Sequence, residues 1–198
     1  MNDTDKAIRS IIRKIISDIK VGLGDEFDQN FERQAFFSEK WQRRRSPLRP
    51  GGLILVNSSG LRDSIHKDAR ADSISFNSDH PAAAIHNNGG EIVVTERMKR
   101  YFRYRFYQAQ GGFERKKEKD AGPRRPLTDA GFYAWTEKMS LNTEAKFWRF
   151  MALMKAGSTI KMPRRRFIGV SPEVEAAVRE IIEENLNEYI NNIDFNIK

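Results

Sequence analysis

The fold class is decided by RDSIHKDARADSISFNSD, residues 62–79 of this 198-residue chain. The stretch reads as two short polar strands, RDSIHKDARA and DSISFNSD, which join near residues 71 and 72. Its large apolar residues are expected to face a core, while the polar residues between them face solvent. These inward residues are Ile65, Ile74 and Phe76. The stretch therefore predicts a small antiparallel sheet.

An amphipathic helix is predicted near the amino-terminal end. Between Thr4 and Lys20 the isoleucines recur at the i, i+3, i+4, i+7 spacing of one helical face. They are Ile8, Ile11, Ile12, Ile15, Ile16 and Ile19. Because isoleucine is a mediocre helix former, tertiary or intersubunit packing must stabilise this helix. The glycines at 22–24 break the pattern, and a second helical face then continues toward Trp41. The apolar residues of that face are Phe27, Phe31 and Ala35.

A further helix is predicted at the carboxy-terminal end. Ser171, Pro172 and Glu173 form a helix start, because Ser is a favoured cap, Pro fits the first turn and Glu suits the positive end of the helix dipole. The apolar side of this helix consists of Val174, Ala177, Val178, Ile181, Ile182, Leu186, Tyr189 and Ile190. The sequence thus predicts an α+β fold in a single domain, residues 1–198, with both terminal helices packed on the small antiparallel sheet. A helical, basic segment at about residues 91–159 is inserted into it.

Local signals also assign the segments on either side of the predicted sheet. QRRRSPLRPGG (42–52) has the composition of a loop, and the short apolar run LILV (53–56) follows it. HPAAAIHNN (80–88) predicts a short helix that Gly89 and Gly90 stop. EIVVTE (91–96) predicts a strand that leads into the insertion.

The insertion is predicted to be mainly helical. GGFERKKEKDAGPRRP (111–126) has the composition of a surface loop. Thr128 or Asp129 can cap one helix and Asn142 or Thr143 another. The expected inward residues are Phe132, Trp135 and Met139 in the first of these, and Phe147, Phe150, Met151 and Met154 in the second, which Gly157 closes. TIKMPRRRFIGV (159–170) predicts a short strand.

Composition limits the cellular setting and the kind of partner. No run approaches the roughly 20 apolar residues that a membrane span needs, and the first residues lack the layout of a signal peptide, so we expect a cytoplasmic protein with no membrane partner. The chain has no cysteine, which excludes disulfides and thiolate metal sites. Its net charge of +8 suits an anionic partner, or serves solubility alone.

No arrangement typical of an active site is present. The three histidines, His66, His80 and His86, lack the i, i+4 pairing that marks a metal site on a helix. The glycine pairs fit neither phosphate-binding pattern, and no nucleophile elbow appears. We therefore predict no catalytic residue, no metal, no cofactor, no small-molecule substrate and no enzymatic activity.

The stretch MKRYFRYRFYQ (98–108) alternates cations with aromatic rings. Its cations, with the residue just before it, are Arg97, Lys99, Arg100, Arg103 and Arg105, and its rings are Tyr101, Phe102, Tyr104, Phe106 and Tyr107. One interpretation is nucleic-acid binding, in which bases stack on rings and guanidinium groups contact phosphates. Alternatively, the rings pack in a core while the arginines pair with nearby carboxylates, or the tract forms a protein interface.

Three separated motifs resemble the phage virion morphogenesis family, the tail completion proteins of Mu-like and related phages and prophages. They are SGLRDSI (59–65), AIHNNGG (84–90), and PRRRFIG (163–169) followed by SPE (171–173). The matching residues are Ser59, Gly60, Leu61, Ser64, Ile85, His86, Gly89, Gly90, Pro163, Arg165, Phe167, Ile168 and Gly169. The upstream FFSEKW and LILV also lie where the family has a tryptophan and a strand before the turn. The likeness covers about residues 1–90 and 160–195. It departs from the family at Asn87, where many relatives carry Gln, and in the long segment at 91–159.

The resemblance implies a structural protein that completes the phage tail or joins it to the head. It also implies tail or connector proteins as partners, a homo-oligomer, and a location in the cytoplasm of the bacterial host during assembly and then in the virion. Nucleic acid is the alternative partner. Physically the motif residues suit positions in the fold. Gly60, Gly89 and Gly169 suit turns and helix stops, Phe167 suits the core, and Arg165 suits a carboxylate or carbonyl partner.

Overall fold

The computed structural model describes residues 3–111 and 128–195. Over this part of the chain the fold is α+β, with seven helices and three two-stranded sheets, and the predicted fold class is confirmed. Small separate sheets replace the single predicted one. The predicted surface loop at 111–126 lies outside the described residues, except for its first glycine.

The chain divides into two compact units. The terminal unit comprises Met1–Arg43, Gly52–Gly90 and Pro163–Lys198, and therefore holds both ends of the chain. The inserted unit comprises Arg44–Gly51 and Glu91–Met162. Each unit has its own buried residues and is described separately below.

The terminal unit begins with one long helix, α1 (Asp3–Arg33), so the predicted break at 22–24 is wrong. A glycine within a helix costs roughly 1 kcal/mol relative to alanine, but here the missing side chains allow close packing. A Cβ at Gly22 would lie 2.9 Å from Cδ1 of Ile181, on the last helix. A Cβ at Gly24 would collide with the side chain of Lys67. These glycines mark close approach within a continuous helix.

Two hairpins and two short helices follow in the terminal unit. The strands β1 (Ala35–Phe36) and β2 (Glu39–Lys40) pair antiparallel, as do β3 (Ile65–Ala69) and β4 (Ile74–Ser78), in which Ile65 lies opposite Ser78 and Ala69 opposite Ile74. The second hairpin is the predicted sheet, and its inward residues Ile65, Ile74 and Phe76 pack on the core as expected. The helices are α2 (Gly60–Asp63) and α3 (Ala83–Asn88), the latter ending at Gly89 as predicted. The run LILV forms turns, not a strand.

The terminal unit has two groups of buried residues. One joins α1 to the last helix, α7 (Pro172–Phe195), and the other gathers residues around Phe167. The first comprises Ile19, Leu23, Phe27, Phe36 and Val174, and the second comprises Phe31, Trp41, Leu61, Ala83 and Phe167. The predicted apolar side of α7 is only partly buried, since Leu186 and Ile190 are exposed.

The inserted unit consists of three helices beside a small sheet. The strand β5 (Gly90–Val93) pairs with β6 (Thr159–Met162), and the helices are α4 (Glu96–Ala109), α5 (Asp129–Glu137) and α6 (Thr143–Leu153). The caps are side chains that accept hydrogen bonds from backbone N–H groups: Thr95, Thr128 and Asn142. The predicted strand at 159–170 is too long, because it ends before Pro163, which has no N–H to donate.

A single apolar core fills the inserted unit. Its buried residues are Val94, Phe102, Phe106, Phe132, Ala145, Trp148 and Ala152. The predicted inward side of α6 is therefore partly wrong: Phe150 is 66% exposed, whereas two alanines and Trp148 face the core. Small residues at 145 and 152 leave room for the large rings of α4, so the size of a side chain was a poor guide to its burial.

Candidate assembly and binding surfaces

Two of the three motifs, AIHNNGG (84–90) and PRRRFIG (163–169), form hydrogen bonds with each other in the terminal unit. The N–H of Arg165 donates to the carbonyl of His86 at 2.8 Å. The side-chain Oδ1 of Asn87 accepts from the N–H groups of Phe167, at 2.9 Å, and Ile168, at 3.2 Å. The segments 84–90 and 163–169 are therefore held together, although about 80 positions separate them in the sequence.

Gly89 is required where these segments meet. Its φ is +72°, which L side chains rarely adopt, and a Cβ there would lie 2.9 Å from the backbone nitrogen of Arg164. Gly90 and Gly169 also have positive φ, at +140° and +144°. Gly60 differs from the expectation, because the left-handed residue at that turn is Ser59, and a side chain at Gly60 would meet nothing closer than 3.5 Å.

Phe167 is the buried centre of the PRRRFIG segment. Its ring is fully buried and lies 5.4 Å from the ring of Phe31, which in turn contacts Trp41 at 5.6 Å. The indole Nε1 of Trp41 donates to the carbonyl of Arg166, and Nδ2 of Asn30 donates to the carbonyl of Phe167. Side chains of α1 and of the segment after β2 thus bind the backbone of the motif.

The three arginines of PRRRFIG all have partners within the terminal unit. Arg164 donates to both carboxylate oxygens of Glu39, at 3.0 and 3.1 Å. Arg165 is 6% exposed, and its Nε donates to the carbonyl of Gln42. The guanidinium of Arg166 lies 5.1 Å from the ring centroid of Phe36 and donates to the carbonyl of Val170. This segment therefore stabilises the fold.

The SGLRDSI motif closes a turn beside the second hairpin. Leu61 is buried, the Ser59 hydroxyl donates to Asp63, and the Ser64 hydroxyl donates to the carbonyl of Leu61 and lies 2.6 Å from the Ser78 hydroxyl. Short-range hydrogen bonds of this type fix a turn.

His86 of the AIHNNGG motif is partly buried. Burial lowers the pKa of its imidazole below the usual 6.5, and the nearby positive groups Arg165 and His80 lower that pKa further. Its Nδ1 is buried and has no hydrogen-bond partner among the residues that the structure describes. The environment thus keeps the ring neutral near pH 7.

The helix α4 divides the basic aromatic tract between its two sides. Lys99 is 4% exposed and pairs with Asp129, to which Arg103 also donates. Arg105 lies 3.4 Å from Glu144 and 4.8 Å from the ring centroid of Trp148. The hydrogen bond from Lys99, with the positive charge of Arg103 close by, lowers the pKa of Asp129. These three cations therefore belong to the packing of the inserted unit.

The opposite side of α4 is exposed and we call it the outer face of α4. It consists of Arg97, Arg100, Tyr101, Tyr104 and Gln108, whose spacing places them on one stripe of the helix. Both tyrosines are 49% exposed. Neither Arg97 nor Arg100 forms an ion pair with any residue in the described ranges. The outer face thus presents two cations and two rings to solvent.

An apolar surface runs along α1 in the terminal unit. Ile8 and Ile12 are 49% and 45% exposed, yet their spacing continues the buried face of Ile15 and Ile19. The same side of the helix leads into an open apolar groove of about 550 Å³. That groove is lined mainly by Ile16, Ile19, Leu23, Phe76, Ile168 and Val178. Leu186 and Ile190 on α7 are also exposed.

The two terminal helices carry opposite charge. Residues 4–20 include five Lys and Arg against two Asp, whereas residues 172–192 include six Glu against one Arg. One cross-helix ion pair joins them, since Nζ of Lys14 lies 2.5 Å from Oε2 of Glu188. Most of these charges lie at exposed positions.

Two residues that stabilise the terminal unit, Asn87 and Asn30, were not identified as such from the sequence. Asn87 counted only as a departure from the family pattern, but it accepts two backbone hydrogen bonds. Asn30, fully buried on α1, gave no signal beyond being a polar residue on an apolar helix face. A polar residue on an otherwise apolar face is the sign that would have indicated a buried acceptor or donor.

The described ranges contain no group of acidic residues and histidines suited to a metal ion. No helix within the same ranges has both the length and the apolarity to cross a bilayer. Comparisons with protein-family models, with curated proteins and with solved structures gave no match. The resemblance to phage tail completion proteins therefore stays a prediction.

Proposed function

We propose that this chain is a non-enzymatic structural protein of phage or prophage origin that acts in virion morphogenesis, by completing the tail or joining it to the head. The proposal is carried by the apolar surface of α1, where Ile8 and Ile12 are nearly half exposed and lead into the open groove. Exposed apolar surface of this kind marks a site of protein contact. The three motifs supply the biological setting, and their residues serve the fold, as expected of a scaffold.

A second copy of this chain is the partner that the charges favour. The basic first half of α1 complements the acidic surface of α7, and Lys14 and Glu188 already form such a pair within one copy. Two copies related by a twofold axis would place α1 of each beside α7 of the other, so that every contact occurs twice. Tail or connector proteins would then bind the assembled oligomer.

Light scattering after size exclusion tests the self-association. The wild-type chain should form a discrete oligomer, and the double variant Ile8→Arg/Ile12→Arg should be monomeric, because it places two charges in the apolar contact. Val21→Arg is the matched control, since Val21 is 56% exposed on another side of the same helix. A wild-type chain that is monomeric up to high concentration would overturn the partner assignment.

Deletion of the coding sequence from its phage or prophage tests the biological role. Electron microscopy of lysates should show heads and tails that fail to join, or tails that remain incomplete. Wild-type protein supplied from a plasmid should restore whole particles, and Ile8→Arg/Ile12→Arg should not. Intact infectious particles without the protein would refute the proposal.

A further inference from the structure

The positive charge of the chain is concentrated in one unit. Counted from the sequence, the inserted unit has 19 Lys and Arg against 8 Asp and Glu, a net charge of +11. The terminal unit has 16 against 19, a net charge of −3. The overall value of +8 hides this division. A polyanion would therefore be attracted to the inserted unit and repelled by the other.

The outer face of α4 carries two of these cations on a defined surface. Arg97 and Arg100 lie about one turn apart, and Tyr101 and Tyr104 follow them on the same stripe. The cations that the core requires, Lys99 among them, point elsewhere and are paired. The two arginines of the outer face are thus available to phosphate groups.

Neighbouring side chains hold both exposed rings. Nη1 of Arg105 donates to the hydroxyl of Tyr101 at 3.2 Å, and Nε2 of Gln108 donates to the hydroxyl of Tyr104 at 2.6 Å. Arg105 is itself stacked on Trp148. Rings that are already oriented lose less conformational freedom on binding, and this favours stacking with a flat partner.

We propose that the outer face of α4 binds single-stranded nucleic acid. Arg97 and Arg100 contact phosphates, while Tyr101 and Tyr104 stack on unpaired bases, the combination by which proteins bind single strands without reading sequence. An acidic protein would use the same arginines, but the net charge of +11 in one unit matches a repeating anion better than a local ion pair. This inference does not rest on the proposed assembly role, because it concerns another unit and other residues.

Fluorescence anisotropy of the full chain with a labelled oligothymidylate tests the proposal. We expect micromolar binding at 50 mM salt, and weaker binding as salt rises. Arg97→Glu/Arg100→Glu should weaken binding at least about tenfold and make the salt slope shallower by about 1.4, the value for two phosphate contacts on a single strand. The matched control is Lys40→Glu/Arg70→Glu, which makes the same change in net charge at exposed sites of the terminal unit and should have little effect.

A second pair of variants tests stacking. Tyr101→Ala/Tyr104→Ala should weaken binding by about tenfold or more while the salt slope stays unchanged. Tyr101→Phe/Tyr104→Phe keeps both rings and should retain binding within about twofold. Arg97, Arg100, Tyr101 and Tyr104 are all exposed, so circular dichroism should show that each variant keeps the helical content of the wild type.

Four outcomes would overturn the proposal. They are no binding at micromolar protein, equal loss in the control variant, equal affinity for polyglutamate, and equal affinity for duplex DNA with no effect of removing the rings. Absence of nucleic-acid binding would not change the results expected in the oligomer and particle assays. A monomeric chain that still binds the oligonucleotide would refute self-association alone.

Discussion

Two tracts of this protein are both rich in arginine and aromatic residues, but their arginines differ in whether they have partners within the fold. PRRRF (163–167) and MKRYFRYRFYQ (98–108) both combine several arginines with aromatic residues. In the first tract every arginine has a partner within the terminal unit. In the second, Arg100 faces solvent, as does Arg97 just before the tract, whereas Lys99, Arg103 and Arg105 pair within the inserted unit. A basic aromatic composition therefore does not indicate a binding site until the partners of its cations are known.

Local geometry explains this difference. The first tract is an irregular segment that carboxylate, carbonyl and ring surround on several sides, so each guanidinium finds a partner. The second is a helix with one side against a core, and its remaining side must face outward. The helical period, together with the carboxylates on the core side, thus divides one run of cations into paired and exposed members.

The largest predicted effect compares the buried rings of the two units. Phe167→Ala and Phe106→Ala each remove a fully buried ring, and each should lower the free energy of unfolding of its unit by about 3–5 kcal/mol. Denaturant titration followed by tryptophan fluorescence measures this loss. Trp41 reports on the terminal unit, and Trp135 and Trp148 report on the inserted unit. A small loss at either position would mean that its ring is not part of a packed core.

The next effect separates the arginines of the two tracts. Arg165→Ala should cost about 2–3 kcal/mol, because a buried charged donor is lost and the carbonyl of Gln42 is left without it. Arg100→Ala should change the free energy of unfolding by no more than about 0.5 kcal/mol, as is usual for an exposed residue. Thermal unfolding measures both. If the two substitutions had equal effects, the division of arginines into buried and exposed classes would be wrong.

A smaller effect concerns a glycine at the meeting point of two motifs. Gly89→Ala should cost about 2 kcal/mol, because φ is positive and the Cβ meets the backbone of Arg164. Gly24→Ala is the control: its Cβ would meet the flexible end of Lys67, which can move, and alanine also favours a helix. We expect a near-neutral change there in chemical denaturation. A neutral result at Gly89 would contradict the close approach of the motifs.

The smallest effect depends on pH. Because burial lowers the pKa of His86 below 6.5, the unfolded chain binds more protons than the folded one as pH falls below that value. The free energy of unfolding should therefore decrease between pH 7 and pH 5.5, by less than the roughly 1.4 kcal/mol per pH unit that one proton allows. His86→Gln should flatten this dependence. A titration midpoint for His86 above 6.5 by NMR would contradict the burial.

Local signals predicted much of the fold. The start of α7 at Ser171 and Pro172 and the stop at Gly89 depend on neighbours within a few residues, so the sequence is sufficient to find them. For α5 and α6 the sequence offered two adjacent caps each, and the structure has the first of each pair, Thr128 and Asn142. The hairpin at 65–78 followed from its alternation. The break predicted in α1 at residues 22–24 is wrong. Gly22 allows close packing of Ile181, which lies far along the chain, so local sequence could not reveal the reason for this glycine.

The candidate surfaces were predicted less completely. The residues of the tract were identified, but their division into two classes depends on Asp129 and Glu144, which lie 26–39 positions further along. The burial of Trp148 and exposure of Phe150 depend on which side of α6 meets α4, and residue size did not reveal that. Tertiary partners of this kind cannot be inferred from local pattern alone.

The long separation between Asn30 and Phe167 has a consequence for biosynthesis. The carbonyl that Asn30 binds belongs to a residue 137 positions later in the chain, so the terminal unit cannot close until Phe167 has been translated. The inserted unit needs nothing beyond Met162 and is expected to fold first on the ribosome. Until Phe167 is made, Phe31 lacks the ring that packs on it and Trp41 lacks the carbonyl that it binds. We therefore expect the nascent chain to depend on chaperones or to aggregate.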